Sequence, residues 1–493
     1  MRNIKITVAL IALLGLSSSC EDFLSEIPDN RTQLNTPDKI SEILVNAYPG
    51  GSYMEFLETM TDNVGESQNL SGTTIKNSQN YFWQMAEKID QDTPAYYWDA
   101  CYTAISHANQ AIEAIDKLGR PANLNPQLGE ALIARAYSHF MLASVFGQRY
   151  NPATAATDLG IPYLLEPETV LLKTYKRNTM AEVYDLLEKD IVEGLKHVGS
   201  DYTQVKFHFN KAAAKAFASR FYLVKGDWDK VLLYSDDLSI QPIGKLRDLV
   251  KNNALNTTAQ FRIYADASET TNLLISSPYS TYNRTIRSNR FALTGADRDV
   301  FFGSATNLFN KSWLYGSFSS NGSISIFLPK TSEYFKITNA NAGIGQPYVA
   351  NVLLGNEELF FNKIEAHIMK SEFDLANTEI QYFLSTRTTG YNATTDVVTQ
   401  AKIVAKYPVI ADEYTPFYTL TPVQTSYIKA VAELRRIEFI HEGLRWFDIK
   451  RFNYVVTHKV YNEPSRILKK NDLRRAIQIP LHATNTGIEK NPI

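Results

Sequence analysis

Few residues in this chain have the types and spacing of catalytic residues, and they do not complete a catalytic motif. His441 and Glu442 begin like the zinc-protease sequence His-Glu-x-x-His, but Arg445 occupies the position of the second metal ligand. Phosphate-binding, dinucleotide-binding and Gly-x-Ser-x-Gly patterns are absent from the sequence. Paired carboxylates for glycoside hydrolysis cannot be identified from sequence, because their spacing is set in space. We therefore predict a protein that is not an enzyme and has no catalytic residue, metal site or cofactor.

Binding chemistry is better represented, in stretches where aromatic, asparagine and arginine residues replace helical periodicity. The apolar face of a sugar ring stacks on an aromatic ring, while amide and guanidinium groups bond its hydroxyls. Peptides can use the same side chains. Residues 62–98 and 251–350 supply the candidate ligand-binding residues, for which packing in the core or a solvated loop is the simpler alternative: Trp83, Tyr81, Tyr282, Arg284, Arg287, Trp313 and Tyr315. We expect the two regions to converge, with Trp83 and Trp313 both contacting the ligand.

The elements that must position these loops are helices. Apolar residues three or four apart predict an antiparallel helix pair between Trp98 and Gly147, broken at Gly119 and Pro121. Residues 216–231 and 361–376 share a second pattern, a helix, an acidic corner with an aromatic residue and an apolar helix start. This pattern is tetratricopeptide-like. Because the copies are far apart in the chain, their stacking must be spatial.

The N-terminus has the features of an export signal. Arg2 and Lys5 precede an apolar run that is too short to span a bilayer, and Cys20 follows three serines. We predict a signal peptide over residues 1–19 and lipidation at Cys20, followed by a tether that ends at about residue 38. The alternative is a simple secretory signal that is cleaved near Cys20.

The run from Glu433 to Arg451 carries two helical stripes at once. Apolar residues stand three or four apart, and so do charged residues of mostly alternating sign, so that neighbours can pair. Gly443 interrupts both stripes, and glycine costs roughly 1 kcal/mol against alanine inside a helix. We predict a helix, a tight corner and a second helix, or else a solvated amphipathic helix. In the first case a structural network is formed by Arg435, Glu438, Glu442, Arg445 and Asp448.

This run resembles the C-terminal signature of the SusD/RagB family. The matching positions are Arg435, Arg436, Glu438, Phe439, Glu442, Gly443, Arg445, Trp446, Phe447, Asp448, Ile449 and Arg451. The resemblance implies a mainly α fold, in which a scaffold of four tetratricopeptide-like helix hairpins carries a long loop-rich region with short strands. It divides the chain into the signal peptide, a lipid-anchored tether over 20–38 and a SusD-like domain over 39–493. Within that domain we expect the scaffold at about 39–250 and 351–493, and the loop-rich ligand region at about 251–350.

Family resemblance also implies the role of the protein. SusD-like proteins are lipid-anchored at the outer membrane on the cell surface, where they bind an oligosaccharide and deliver it to a SusC-like TonB-dependent transporter. Peptide cargo in the same role is the first alternative, and a surface glycoside hydrolase is the second. The formal net charge is −2, and removal of residues 1–19 takes Arg2 and Lys5 away and makes it −4. Nucleic acid is therefore not expected as a partner.

Overall fold

The computed structural model describes residues 34–86, 88–168, 173–236, 246–320 and 325–492. The predicted signal peptide, Cys20 and most of the predicted tether lie outside these ranges. The first helix in the described ranges, α1 (Pro37–Leu44), begins one residue before the predicted end of the tether, because Thr36 caps it and Pro37 stands in its first turn. None of the helices in the described ranges is long and apolar enough to cross a membrane.

The described part of the chain is mainly helical, as predicted. After α1 come the helices α2 (Met54–Thr59), α3 (Ile75–Tyr81), α4 (Pro94–Lys117), α5 (Asn125–Phe146), α6 (Met180–His197), α7 (Lys211–Lys225), α8 (Trp228–Asp236), α9 (Leu249–Asn253), α10 (Thr257–Tyr264), α11 (Tyr282–Thr285), α12 (Gly295–Phe302), α13 (Asn356–Met369), α14 (Phe373–Ser385), α15 (Gln400–Lys406), α16 (Pro422–Glu438), α17 (Leu444–Arg451) and α18 (Leu481–Asn485). Short 3₁₀ turns lie at Leu70–Gly72, Ala122–Leu124, Val205–Phe207, Ser304–Thr306 and Leu473–Arg475.

Strands in the described ranges form small antiparallel sheets. They are β1 (Gly65–Glu66), β2 (Asn272–Ser276), β3 (Phe291–Ala292), β4 (Phe318–Ser320), β5 (Ser325–Phe327), β6 (Ser332–Asn339), β7 (Ile344–Gly355), β8 (Val456–Val460) and β9 (Glu463–Leu468). The pairs are β1 with β3, β4 with β5 and β8 with β9. A three-stranded sheet has the order β2-β7-β6, so β6 is an edge strand whose Tyr334 pairs with Tyr348 of β7.

The predicted antiparallel pair is confirmed as α4 and α5. Thr93 caps α4 by accepting from the Tyr96 amide, and Pro94 occupies the first turn. Helix α6 packs closely on α5 at Gly129. A Cβ at this position of α5 would lie only 2.2 Å from the amide nitrogen of Val198, which directly follows α6. Only a residue without a side chain permits that approach.

Spatial stacking of the two repeat copies is also confirmed. The copies are the hairpins α7–α8 and α13–α14, and α13 packs against both α7 and α8. Gly226 ends α7 in the left-handed conformation with a φ of 72°, which turns the chain into α8. Between the hairpins, buried Arg220 of α7 donates through Nε to Glu358 Oε1 of α13 at 2.6 Å. Two segments distant in the chain therefore share one core.

The helix, corner and second helix predicted around Gly443 are confirmed as α16 and α17. Gly443 has a φ of 70°, and a Cβ there would lie 3.2 Å from Leu57 Cβ. Both the backbone conformation and the close approach of α2 thus favour glycine. The expectation that residues 251–350 lack helices is wrong, since α10, α11 and α12 lie there. These helices have four to eight residues, which is too short for a clear amphipathic period.

Candidate functional site

Charged residues of the α16–α17 run are buried and ion-paired, which excludes the solvated helix. Arg435 Nε donates to Asp448 Oδ2 at 3.0 Å, and Arg451 Nη2 donates to Asp448 Oδ1 at 2.9 Å. Arg451 also donates to Glu365 of α13 at 2.6 Å. Burial alone would raise the pKa of Asp448, but Arg435 and Arg451 hold it below its usual value. These contacts tie both signature helices to the second repeat hairpin.

Two further acids of the run, Glu438 and Glu442, have partners far away in the sequence. Glu438 accepts from Arg387 Nε at 2.9 Å and from the Tyr315 hydroxyl. Glu442 accepts from Lys330 Nζ at 2.6 Å and from the Tyr264 hydroxyl. Burial would raise the pKa of Glu438, but Arg387 lowers it to about 2. The run is therefore joined to the loop-rich region through two carboxylates.

Two candidate ligand residues, Tyr81 and Trp83, lie inside the protein. The ring of Tyr81 is stacked between Phe291 at 4.0 Å and His458 at 3.9 Å, measured between ring centroids. Trp83 stacks on the same histidine at 4.3 Å, and its Nε1 donates to the Met60 carbonyl at 3.0 Å. Its side chain is 5% exposed. This arrangement leaves neither ring face available to a ligand.

Trp313 and Tyr315 lie together, in a different environment. Their rings are 6.0 Å apart, and the Trp313 Nε1 donates to Thr306 Oγ1 at 2.8 Å. Trp313 is buried. In the structure Trp83 and Trp313 are each buried among their own neighbours, and each indole has its own hydrogen-bond acceptor. Ligand contact by these two rings stays a prediction that requires both loops to rearrange.

The remaining candidates surround the short helix α11. Tyr282 is buried, and Arg284 pairs with Glu333 of β6 through contacts of 2.8 and 2.9 Å. Arg287 lies over the rings of Phe261 and Phe327, 4.9 and 4.6 Å from their centroids. The two arginines thus hold α11 against neighbouring strands and loops. Among all the candidates Arg284 is exposed, and Arg287 and Tyr315 are half-buried.

An open cleft with a volume of about 610 Å³ lies beside the N-terminal half of α4. Its walls are the segment after α1, the first half of α4, the end of β2 and the loop that carries His208. The lining includes Asn46, Tyr48, Tyr96, Thr103, Ser276 and Ser277. A volume of this size falls within the range of ligand sites. The cleft therefore has room for a ligand and offers both rings and hydroxyl groups.

Four tyrosines extend from this cleft as a continuous series, which we call the tyrosine row: Tyr96, Tyr279, Tyr348 and Tyr334. Successive ring centroids are 6.0, 6.2 and 5.4 Å apart. Tyr96 lies in the first turn of α4, Tyr279 follows β2, and the other two pair across β6 and β7. Tyr334 is 50% exposed and the others are half-buried. The row is thus an aromatic surface that solvent reaches.

Polar contacts hold the cleft walls in place. Tyr48 Oη and His208 Nδ1 each lie 2.7 Å from Oε1 of the buried Glu130 of α5. Asp99 Oδ1 lies 2.7 Å from His482 Nε2. In the row, burial and the neighbouring phenols Tyr279 and Tyr348 raise the pKa of Tyr96, so its ring is uncharged at neutral pH. The cleft and the row therefore suit an uncharged stacking partner that carries hydroxyl groups.

In the described ranges, no group of three or more His, Cys, Asp or Glu side chains could hold a metal ion.

The tyrosine row was not predicted from the sequence. Its members come from positions 96, 279, 334 and 348, and loop tyrosines give no signal of which rings will meet. Only their placement in aromatic-rich, weakly periodic stretches pointed toward this surface.

Comparisons with known proteins agree with this architecture. A family model described as SusD-like, starch-binding and associating with the outer membrane matches residues 22–223. A SusD-like protein of Formosa agariphila is 26% identical over 278 residues, which cover 52% of this chain and 50% of the relative. The match thus spans about half the length of that curated relative.

Solved structures share the fold over nearly the whole chain. A SusD superfamily protein of Bacteroides thetaiotaomicron has a TM-score of 0.68 at 18% identity, and the match covers 93% of this chain and all of that one. A structure described as a putative sugar binding protein of Bacteroides vulgatus has a TM-score of 0.66 at 17% identity, covering 94% and 99%. These comparisons show that the chain is similar to SusD-like proteins over part of its sequence and shares the fold of SusD superfamily structures over nearly its whole length.

Proposed function

We propose that this protein binds an oligosaccharide at the tyrosine row and the adjoining cleft. The observation that carries the proposal is the alignment of four solvent-reached phenol rings beside a cavity of about 610 Å³. The match of residues 22–223 to a family model described as starch-binding supports a glycan as the cargo. The scaffold helices have a supporting role, since they hold the segments on which the rings lie.

The apolar face of a sugar ring can stack on the face of a phenol ring. A ring face that covers about 60–80 Å² of ligand contributes roughly 1.5–2 kcal/mol at about 25 cal/mol per Å². The hydroxyls of Thr103, Ser276 and Ser277 and the amide of Asn46 line the cleft and can exchange hydrogen bonds with sugar hydroxyls. Stacking therefore supplies most of the affinity, while the cleft supplies orientation.

The wider role we propose is capture at the outer membrane. The family description includes association with that membrane, and Cys20 follows a signal-like segment. A lipidated Cys20 would hold the binding domain at the cell surface. The bound oligosaccharide would then pass to a SusC-like TonB-dependent transporter, and the protein itself would break no bond.

Peptide cargo is the second candidate, and the edge strand β6 favours it. In the order β2-β7-β6, one side of β6 has no strand partner in the described part of the chain. An extended peptide can add to such an edge through main-chain hydrogen bonds. Tyr334 on this strand would then contact the side chains of the peptide.

The test is a binding screen of the soluble domain, from residue 34 onward, against a glycan array and a peptide library in parallel. The array includes maltoheptaose, and each hit is measured by calorimetry. We expect an oligosaccharide hit whose binding depends on the tyrosine row. A peptide hit alone would favour the second candidate. Cleavage of the bound glycan on prolonged incubation would contradict the delivery role.

A further inference from the structure

Asp92 is a fully buried aspartate between the two segments that carry the first two rings of the tyrosine row. Its Oδ1 accepts from the Ser280 hydroxyl at 2.6 Å. Its Oδ2 accepts from the Thr281 amide at 2.8 Å and from the Thr281 hydroxyl at 3.1 Å. One carboxylate therefore receives three hydrogen bonds from the two residues that directly follow Tyr279.

On its other side, Asp92 leads directly into α4. The next residue, Thr93, is the N-cap whose hydroxyl accepts from the Tyr96 amide at 3.3 Å. The segment of Tyr279 is held further by its own amide, which donates to the Gly50 carbonyl at 3.1 Å. Asp92 is thus the side chain that connects the start of the Tyr96 helix to the Tyr279 segment.

The backbone of Asp92 is also constrained. Its φ is 61°, a left-handed conformation that is uncommon for residues other than glycine but that Asp and Asn tolerate. Such conformations persist only where the surroundings hold them, and they cluster at functional sites. Here the side-chain hydrogen bonds to Ser280 and Thr281 are part of those surroundings.

We propose that Asp92 is a positioning residue for the ligand surface. It fixes the segment after Tyr279 against the start of α4, and so sets the 6.0 Å arrangement of Tyr96 and Tyr279 that a ligand meets. The link to ligand binding rests on the proposed function, whereas the positioning itself does not.

Burial and a neighbouring carboxylate disfavour the ionised form of Asp92. Glu55 of α2 lies near Asp92 and is itself bonded to Lys76 of α3 at 3.2 Å and to Asn289 Nδ2 at 3.2 Å. Burial and then Glu55 raise the pKa of Asp92 to about 7, against the opposing effect of Lys76. Tyr96 and Tyr282 are the other titratable groups that sense the Asp92 charge. An uncharged isostere is therefore a suitable conservative replacement.

The substitutions Asp92→Asn and Asp92→Gly separate these effects. Asparagine tolerates the same φ, accepts from Thr281 through Oδ1 and donates to Ser280 through Nδ2. Glycine also tolerates the φ but removes all three hydrogen bonds. The matched control is Asp412→Gly, because Asp412 is an exposed aspartate with a φ of 60°. An effect that comes only from the greater backbone freedom of glycine will also appear in Asp412→Gly.

Hydrogen exchange of the peptide that contains residues 277–283 is the direct readout, measured on the folded soluble domain. We expect Asp92→Gly to exchange at least about tenfold faster there, with Asp92→Asn and Asp412→Gly like the parent. Parent-like exchange in Asp92→Gly would overturn the proposal, as would equal acceleration in Asp92→Asn. If Asp92→Gly does not fold, Ser280→Ala removes one partner, and unchanged exchange in that variant would overturn it.

Binding is the second readout, measured by calorimetry with maltoheptaose and with the tightest oligosaccharide from the array. Positioning predicts that Asp92→Gly weakens binding about tenfold at a temperature where it is folded, while Asp92→Asn stays within about twofold. A lowered melting temperature with unchanged binding would mean a merely structural role and overturn the proposal. If no oligosaccharide binds the parent, the proposed function fails, and the exchange data still decide on Asp92.

Discussion

Arg445 and Asp62 form a two-point ion pair, with Nε 2.9 Å from Oδ1 and Nη2 2.9 Å from Oδ2. The two residues are 383 positions apart in the sequence, and Arg445 is buried. Their pair joins α17 to the segment that follows α2. Burial would raise the pKa of Asp62, but Arg436 and Arg445 hold it well below its usual range. A charged residue of the α16–α17 run thus pairs with a segment that is distant in the chain.

Removing this arginine should destabilise the protein strongly. Arg445→Ala removes the two-point partner of Asp62, whose side chain is only 14% exposed, and loss of one member of a buried pair typically costs about 3–5 kcal/mol of unfolding free energy. Urea denaturation of the soluble domain measures the change. The control is Arg466→Ala, because Arg466 pairs with Glu463 at an exposed position and should cost under about 1 kcal/mol. Equal, small effects of both substitutions would argue against a structural network.

The same pair predicts how stability depends on pH. Because the folded-state pKa of Asp62 is depressed, its contribution is complete above its unfolded pKa of about 4 and is lost as pH falls below that value. The stability gap between the parent and Asp62→Asn should therefore be constant from pH 7 to about 5 and narrow in more acid solution. Thermal unfolding at a series of pH values measures the gap. A gap that stays constant down to pH 3 would contradict the assignment.

Substitutions in the tyrosine row should weaken binding without loss of stability. Tyr279→Ala and Tyr348→Ala each remove one ring, and a loss of roughly 1.5–2 kcal/mol corresponds to about ten- to thirty-fold weaker binding. Calorimetry with the best array oligosaccharide measures the affinity. Tyr461→Ala is the control, since Tyr461 is an exposed tyrosine in the turn between β8 and β9. If both row variants bind like the parent, the ligand lies elsewhere.

Trp83→Ala and Trp313→Ala should mainly affect stability. Both indoles are buried and hydrogen-bonded through Nε1, and loss of a buried tryptophan costs about 3–5 kcal/mol. Denaturation curves and calorimetry on the same samples separate stability from affinity. Weaker ligand binding with unchanged stability would instead favour direct contact of these rings with the ligand.

The membrane anchor can be tested in cells. A multiply acylated cysteine holds a protein firmly at a membrane, whereas a single chain holds it weakly. Cys20→Ala should therefore release the protein from the outer-membrane fraction, while circular dichroism of the released protein resembles that of the parent domain. Immunoblots of the membrane and soluble fractions give the result. Sedimentation of the variant with outer membrane, in cells that lack the transporter partner, would exclude lipidation at Cys20 as the anchor.

Local patterns were sufficient for much of the fold. Apolar spacing and helix breakers located the α4–α5 pair, and the interruption at Gly443 located the corner between α16 and α17. Two copies of one hairpin pattern predicted that distant segments would stack. These features are readable because helix periodicity, caps and turns depend on residues a few positions apart.

Contacts between side chains that are distant in the sequence could not be predicted from these local patterns. Arg445 makes its two-point ion pair with Asp62, which is 383 positions away, and the indole of Trp83 stacks on His458, far along the chain. The four rings of the tyrosine row come from positions up to 252 residues apart, from 96 to 348. Periodicity indicates which face of an element is buried, but it does not indicate what lies opposite. That depends on how the helix hairpins stack and where the β2-β7-β6 sheet rests on them, because side-chain contacts form only after those elements are packed.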